Sequence, residues 1–400
     1  YAMGRFNDIH KPGLNLRAYD DGKRYQAERP GLALKTFLSE KQDNAPFHFW
    51  ISTDHGHAPF EEGRWKEAGK RIADVTMPPG LPDNPERRRK LLNYAMEIED
   101  FDRELGEVLD VLEAAGELEN TLIVVSSDNG ITSIGRSKGQ GIYHAGTHVP
   151  LAVRWGYGIQ SPGRVIDDLV SMIDLGPTML DAAGIDPYPT MRGIPWTEIF
   201  ESPENGYVDE DREAIYLGFE RHTPNRPLEE SCYPVRGIRT PRYLYIWNLQ
   251  PERSFWGPYP VKAHWFGPPD NPYPGVTEHK GETTMRFYDL YTKQRPEEQL
   301  FDIREDPGCL NNLAANPEMA GIRVQLRERL LRRLIEDRDP RMFANGEAFD
   351  YAPIPEYYER AIPEWSRPFS IFEEGYTSRF DPSLRPDYVK NRPWNGRRRN

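Results

Sequence analysis

Three groups of residues in this chain carry side chains that together could handle a tetrahedral anion. The first is Asp128-Asn129-Gly130, where a turn presents one carboxylate and one amide oxygen. Adjacent hard oxygen donors of this kind suit a divalent cation, calcium or magnesium. The second is His57, in the loop Asp54-His55-Gly56-His57-Ala58-Pro59, and the third is Lys138, in Gly135-Arg136-Ser137-Lys138-Gly139-Gln140-Gly141. A cation and a lysine would neutralise charge on the anion's oxygens, while a histidine stabilises or protonates the leaving oxygen. Each also has an ordinary explanation taken alone. Asn-Gly is a strong turn signal, a histidine beside glycine and proline sits in a surface loop, and a lysine among glycines is solvated.

The elements that carry these residues decide whether they meet. Residues 122–125 (Leu-Ile-Val-Val) suit a short strand buried on both faces, and the small polar residues after it force a turn. Residues 47–53 read as a strand ending just before the His57 loop, and residues 149–155 as another. Between them, residues 85–116 predict a helix, with Asn84 as N-cap, Pro85 at the first helical position and Gly116 as C-cap. Its apolar positions, Leu91, Leu92, Ala95, Ile98, Phe101, Leu105, Val108, Leu109 and Leu112, recur at three and four and form one stripe. Residues 171–184 predict a further helix, with Ser171 or Asp174 near its start. Strands alternating with helices imply parallel βαβ units, whose ligands gather at the carboxyl ends of the strands. If the strands are parallel neighbours, Asp128, His57 and Lys138 meet at one edge.

The expected fold is therefore α/β, a mostly parallel sheet flanked by helices over residues 1–205. After Glu201-Ser202-Pro203-Glu204-Asn205-Gly206 the texture changes. Strands at 214–219, 243–248 and 285–291, then a helix within 316–339, predict a smaller α+β domain with an antiparallel sheet over 206–344. Residues 345–400, rich in proline, arginine and aromatics, are expected to pack on the domains rather than build a core. A length of 400 residues allows about two or three domains. The net charge of −12 argues against nucleic acid as a partner. No apolar run approaches the roughly 18 residues of a membrane span. Two cysteines cannot form a disulfide framework, and oligomeric state is not legible.

The order of these pieces resembles the sulfatase family of the alkaline-phosphatase superfamily. Gly56-His57-Ala58-Pro59 is similar to the family's His-x-Pro loop, and residues 120–130 to its metal-binding strand. Tyr143-His144-Ala145-Gly146-Thr147-His148-Val149-Pro150-Leu151 resembles the family's Tyr-Glu-Gly-Gly-x-Arg-Val-Pro-Leu, with Lys138 shortly before it. Residues 218–222, 233–239, 243–248 and 299–307 resemble the bacterial relatives of heparan N-sulfatase (sulfamidase). The resemblance implies that Asp128 and Asn129 are calcium ligands and that His57 and Lys138 contact the sulfate. It also implies that Glu220, Arg221, His222 and Arg239 line a pocket for a sulfated saccharide, and that the protein is periplasmic or secreted. For Arg236 and Arg239, ion pairing with the acidic surface stands as the alternative.

The family's nucleophile, a formylglycine made in a Cys/Ser-x-Pro-Ser-Arg motif, and its early Asp-Asp strand do not occur before His57. Both are expected upstream of Tyr1. Cys232-Tyr233-Pro234-Val235-Arg236 fits Cys-x-Pro-x-Arg, but it follows the Asp-Asn-Gly strand, where the nucleophile does not sit. Lys138 stands one residue further from Tyr143 than the family spacing, and His144 and His148 replace an acidic residue and an arginine. The leading expectation is a calcium-assisted sulfatase acting on a sulfate ester or sulfamate. The alternatives are a phosphonate or phosphate ester hydrolase on the same scaffold, and a non-catalytic binding protein that keeps the fold.

Overall fold

The computed structural model describes residues 2–7, 23–24, 29–42, 44–53, 55–56, 60–79, 83–130, 141–220, 232–253 and 294–343. Strand β1 (Ala2–Asn7) lies between β2 (Lys23–Arg24) and β3 (Phe47–Ser52), and both pairings are parallel. Helix α1 (Pro30–Glu40) separates β2 from β3 in the chain and supplies the apolar face that packs on β3. Its Ala33, Leu34 and Phe37 join Val108 and Leu112 in one buried cluster, against which Phe47, Phe49 and Ile51 of β3 rest. Phe37 meets the rings of Phe47 and Phe49 at 5.8 and 5.0 Å.

After the short helix α2 (Arg64–Glu67), the long helix α3 spans Pro85–Ala114, as its periodicity predicts. Asn84 Oδ1 accepts the backbone N–H of Arg87 at 3.0 Å, relieving one of the donors a helix start leaves unpaired. Gly116, at φ +70, takes the left-handed conformation that stops the helix.

Strand β4 (Ile123–Ser126) follows, but its partner differs from expectation. It pairs antiparallel with β5 (Leu151–Arg154) in a two-stranded sheet, and β3 belongs to the other sheet. A connection as long as 127–150 could equally have carried a parallel crossover, so the direction of return is set outside the two strands themselves. Both faces of β4 are nevertheless covered. Ile123 packs on the α1–α3 cluster, while Leu122 and Val124 pack on Trp196, Ile199 and Phe200. With only one strand beside it, β4 is half-buried rather than buried.

Between β4 and β5 lies a single helical turn, α4 (His144–Thr147). The helix expected within 171–184 begins with a 3₁₀ turn, Met172–Asp174, and continues as α5 (Leu175–Ala182). Ser171 and Asp174 form a capping box, Asp174 Oδ2 accepting the Ser171 N–H at 2.9 Å. Asp174 also holds Arg212 in a buried pair at 3.0 Å, which pins the segment leading out of α6 (Thr197–Glu201).

Strands β6 (Ile215–Phe219), β7 (Val235–Arg239), β8 (Tyr243–Asn248) and β9 (Glu298–Asp302) form an antiparallel sheet in that order. This matches the antiparallel sheet expected of the second part. The expected strands at 214–219 and 243–248 are β6 and β8, whereas 285–291 lies outside the described residues. Helix α7 (Ala320–Glu336) lays Leu326, Leu330 and Leu334 on one face of the sheet, against Ile238, Tyr245 and Leu300. The opposite face packs on Ile142 and Tyr143, just before α4. The proposed division at 205/206 is thus crossed by a shared core. The tail 345–400 lies outside the described residues.

Candidate functional site

The Asp128 turn is built from the backbone outward. Ser126 Oγ donates to the Pro150 carbonyl at 2.9 Å, tying the end of β4 to the approach of β5. Ser127 Oγ donates to the Asn129 carbonyl at 2.8 Å, and the Asn129 side-chain amide donates to the Gly130 carbonyl at 2.8 Å. That bond commits the amide N–H and leaves Oδ1 as the acceptor end of Asn129. Asp128 is exposed and Asn129 half-buried. The adjacent carboxylate and amide oxygens fit a hard divalent cation as part of its shell. Calcium takes six to eight oxygens, so the remainder would have to come from other residues or water.

The turn is locked to α4. Gly130 N–H donates to the Gly146 carbonyl at 3.0 Å. A Cβ at Gly130 would stand 2.0 Å from the Ala145 carbonyl oxygen, so only glycine allows the approach. Gly130→Ala is expected to force the turn off α4, costing about 1–3 kcal/mol of stability together with weaker cation binding. Chemical denaturation and calorimetry check the two effects.

Helical turn α4 is held in turn by the second part of the chain. Tyr143 OH donates to Gln299 Oε1 at 3.0 Å, and its ring meets Phe301 edge-on. The Arg295 guanidinium lies 4.9 Å from the centre of the same ring. On α4 itself the His144 and His148 rings stack at 4.7 Å. Burial, then the charges of His148 and Arg239, push His144 down to about 4. His148 is lowered by burial and by Arg239. Both rings are therefore neutral near pH 7.

A half-buried neutral histidine has a consequence in acid. Below its ordinary value of 6.5 the unfolded chain takes up a proton that folded His144 refuses until about pH 4. Stability should fall as pH drops through that window, by on the order of 1–2 kcal/mol after allowing for solvent screening. Denaturant melts at successive pH values check this, and His144→Gln should flatten the slope.

Strand β7 distributes its two arginines to opposite faces, as the period of two requires. Val235 and Gly237 face Ile142, and a Cβ at Gly237 would lie 2.4 Å from Ile142 Cδ1. Arg239 shares that face, where its charge acts on both histidines. Burial pulls the Arg239 guanidinium down to about 10, and its Nη1 is buried without a hydrogen-bond partner. Arg236 shares the other face with Ile238. It binds Asp339 through Nε at 2.5 Å and Glu220 through Nη2 at 2.7 Å.

The expected site residues therefore divide. Asp128, Asn129 and Arg239 lie on segments that converge on α4. Glu220 is engaged by Arg236 and, at 2.7 Å, by Arg341. His57, Lys138, Arg221 and His222 lie outside the described residues. Cys232 is buried at 1% exposure. His144 and His148 carry no role in the sequence reading, although their spacing of four already puts both rings on one side of a helical turn.

The sulfatase family model matches residues 13–185, and the model described as N-sulphoglucosamine sulphohydrolase, C-terminal matches residues 139–264. An ulvan-active sulfatase of Formosa agariphila is 28% identical over 82% of this chain and 50% of its own length. Human N-sulphoglucosamine sulphohydrolase is 26% identical over 77% of this chain and 64% of its own length. The chain thus spans about half to two-thirds of the length of these two relatives. Among solved structures, a protein in complex with its substrate D-glucosamine-2-N,6-O-disulfate is similar at a TM-score of 0.53, with 16% identity over 85% of this chain and 81% of that one. The phosphonate monoester hydrolase of Agrobacterium radiobacter is similar at 0.55, with 18% identity over 77% and 60%. At these identities the structures establish the fold, an alkaline-phosphatase-like α/β architecture.

Proposed function

From the premise that this chain belongs to the sulfatase family, we propose that the intact protein hydrolyses a sulfate ester or sulfamate of a saccharide. The S–O or S–N bond breaks, releasing inorganic sulfate and leaving the sugar hydroxyl or amine. The observation that carries this reading is the oxygen pair of Asp128 and Asn129, held at the end of β4 by the close contact of Gly130 with α4.

Asp128 Oδ and Asn129 Oδ1 would supply part of a calcium shell, with magnesium as the alternative ion. When bound, the cation draws charge from the sulfate oxygens. Lys138 would neutralise a further oxygen, and His57 would hold or deliver the proton at the leaving atom. The nucleophile is proposed to be the family's formylglycine, carried outside this chain. Arg239 would meet an anionic group of the sugar, because its Nη1 is desolvated without an acceptor. The neutral rings of His144 and His148 would leave that charge uncompensated until such a group arrives.

The deciding experiment presents the intact, calcium-loaded protein with N-sulphoglucosamine, a panel of O-sulfated monosaccharides and a phosphonate monoester. Release of inorganic sulfate from at least one sugar supports the reading. Faster turnover of the phosphonate ester would assign the scaffold to that chemistry instead, and no turnover of any compound would favour a binding protein.

A further inference from the structure

A second cluster of titratable groups lies away from the Asp128 turn, on the flank of α3. Asn93, Glu97, Asp100 and Glu104 recur at four, three and four, so one helix face presents all of them. The chain leaving β3 runs onto this face. His55 Nδ1 lies 3.3 Å from Glu97 Oε2, and its Nε2 lies 3.2 Å from Glu104 Oε1. Gly56, at φ +85, turns the backbone beside the Tyr94 ring. Further along, Phe60 packs on Tyr94 at 5.7 Å, and Asn93 Oδ1 accepts the Gly63 N–H at 3.2 Å. The far end of α3 is anchored in the α1 cluster through Val108 and Leu112, so the helix is a fixed support.

Ligand atoms of His55, Glu97 and Asp100 lie within 4.8 Å of one another, close enough to suggest a metal. The bonding around Asp100 argues otherwise. Arg64 grips both its oxygens, at 2.6 and 3.0 Å, and Arg103 adds a third bond at 2.7 Å. Those hydrogen bonds, Arg64 first, hold its carboxyl at about 2. A cation would have to displace two guanidinium groups. The two other carboxylates approach opposite ring nitrogens, an arrangement one metal ion cannot share: Nδ1 lies in hydrogen-bonding geometry to Glu97, and Nε2 meets Glu104 as a close charge pair without that geometry, so a protonated ring is held by charge on both sides.

We propose that His55 is a positioning residue, an imidazolium gripped from both sides by Glu97 and Glu104 that latches the segment leading into His57 onto α3. The proposal rests on the reading of His57 as the catalytic histidine, two residues further along the chain. A shift of about 1 Å at a reacting group can cost on the order of 10²-fold in rate, so the latch has functional leverage. Burial lowers the affinity of His55 for its proton, but the carboxylates of Glu104 and Glu97 outweigh it and raise the pKa above the ordinary 6.5. Among the described residues, Asp100, Arg64, Arg103, Glu61 and Tyr94 are further charged or titratable groups around this face; Arg64 and Arg103 are themselves paired with Asp100, and Arg64 also meets Glu61 at 3.8 Å. A raised histidine pKa means the latch is complete below 6.5 and is lost as pH rises through the raised value.

The test combines ring titration by NMR, amide exchange and kinetics on the intact protein. Wild-type His55 should titrate above 6.5, and Glu97→Gln and Glu104→Gln should each lower that value. His55→Gln should speed exchange at Gly56 and Gly63 and reduce kcat about 10- to 10²-fold, with KM nearly unchanged. His55→Lys, a permanent cation over most of the range, should restore much of kcat and move the alkaline loss of activity to higher pH. A His55 that titrates at or below 6.5, or a His55→Gln variant with wild-type exchange, overturns the latch. Faster exchange with unchanged kcat overturns its positioning role while leaving the latch intact. In a protein without sulfatase turnover, titration and exchange still decide the latch, so its failure is distinct from failure of the proposed activity.

Discussion

Asp128→Ala in the intact protein is expected to lower turnover by at least about 10²- to 10³-fold, because it removes a charged oxygen ligand of the proposed cation shell. The side chain is exposed, so the fold should survive its loss. Thermal denaturation without calcium should therefore match the wild type, while the stabilisation that added calcium gives the wild type should shrink or disappear. Asp128→Asn keeps the oxygen but not the charge, and should bind calcium more weakly than wild type yet better than the alanine variant. Calorimetric titration with calcium separates these outcomes from a folding defect. Full activity in Asp128→Ala would remove the turn from the active site altogether.

Much of this site was legible in the sequence because its signals are local. Residues 122–130 show a strand ending in a turn without reference to anything distant, and Asn84-Pro85 with Gly116 bounds α3 by capping chemistry alone. What escaped was non-local. The pairing of β4 with β5 depends on how the chain returns over 127–150, and no alternation within either strand encodes it. Strand β7 escaped for a different reason. Val235-Arg236-Gly237-Ile238-Arg239 mixes charge and glycine into what is a well-buried strand, with Val235, Arg236, Gly237 and Ile238 all buried. Once it is a strand, period two sorts its side chains without further information: Arg236 with Ile238 toward α7, Arg239 with Gly237 toward α4. His55 escaped because its partners are 42 and 49 positions away on α3. Only the fold shows that the helix face with Glu97 and Glu104 lies under the loop.

That sorting makes the two arginines of β7 a paired experiment, since the sequence allowed both an ion-pair role and a pocket role for each. Arg236 is 6% exposed and joins Glu220, Asp339 and, through Glu220, Arg341. Its guanidinium keeps its proton more firmly than usual: burial opposes the charge, but Asp339 and Glu220 outweigh it. Arg236→Ala leaves two carboxylates partly stripped of their cation inside the protein, and should cost about 3–5 kcal/mol of stability. Arg239 is the reverse case. Its Nη1 is buried and bonded to no described residue, and no carboxylate among the described residues pairs with it. For Arg239 the cost of burial outweighs the favourable field of Cys309 and Tyr207, so Arg239→Ala should leave the denaturation midpoint unchanged or raise it. If Arg239 meets an anionic group of the sugar, the same substitution should raise KM about tenfold or more, since a hydrogen bond to a charged group contributes about 1.5–3 kcal/mol. Arg239→Lys keeps charge without the planar fork and should recover only part of that loss. Urea denaturation and steady-state kinetics on the three variants decide the assignment. A large stability loss in Arg239→Ala with KM unchanged would make it a structural arginine like Arg236 and remove it from the pocket.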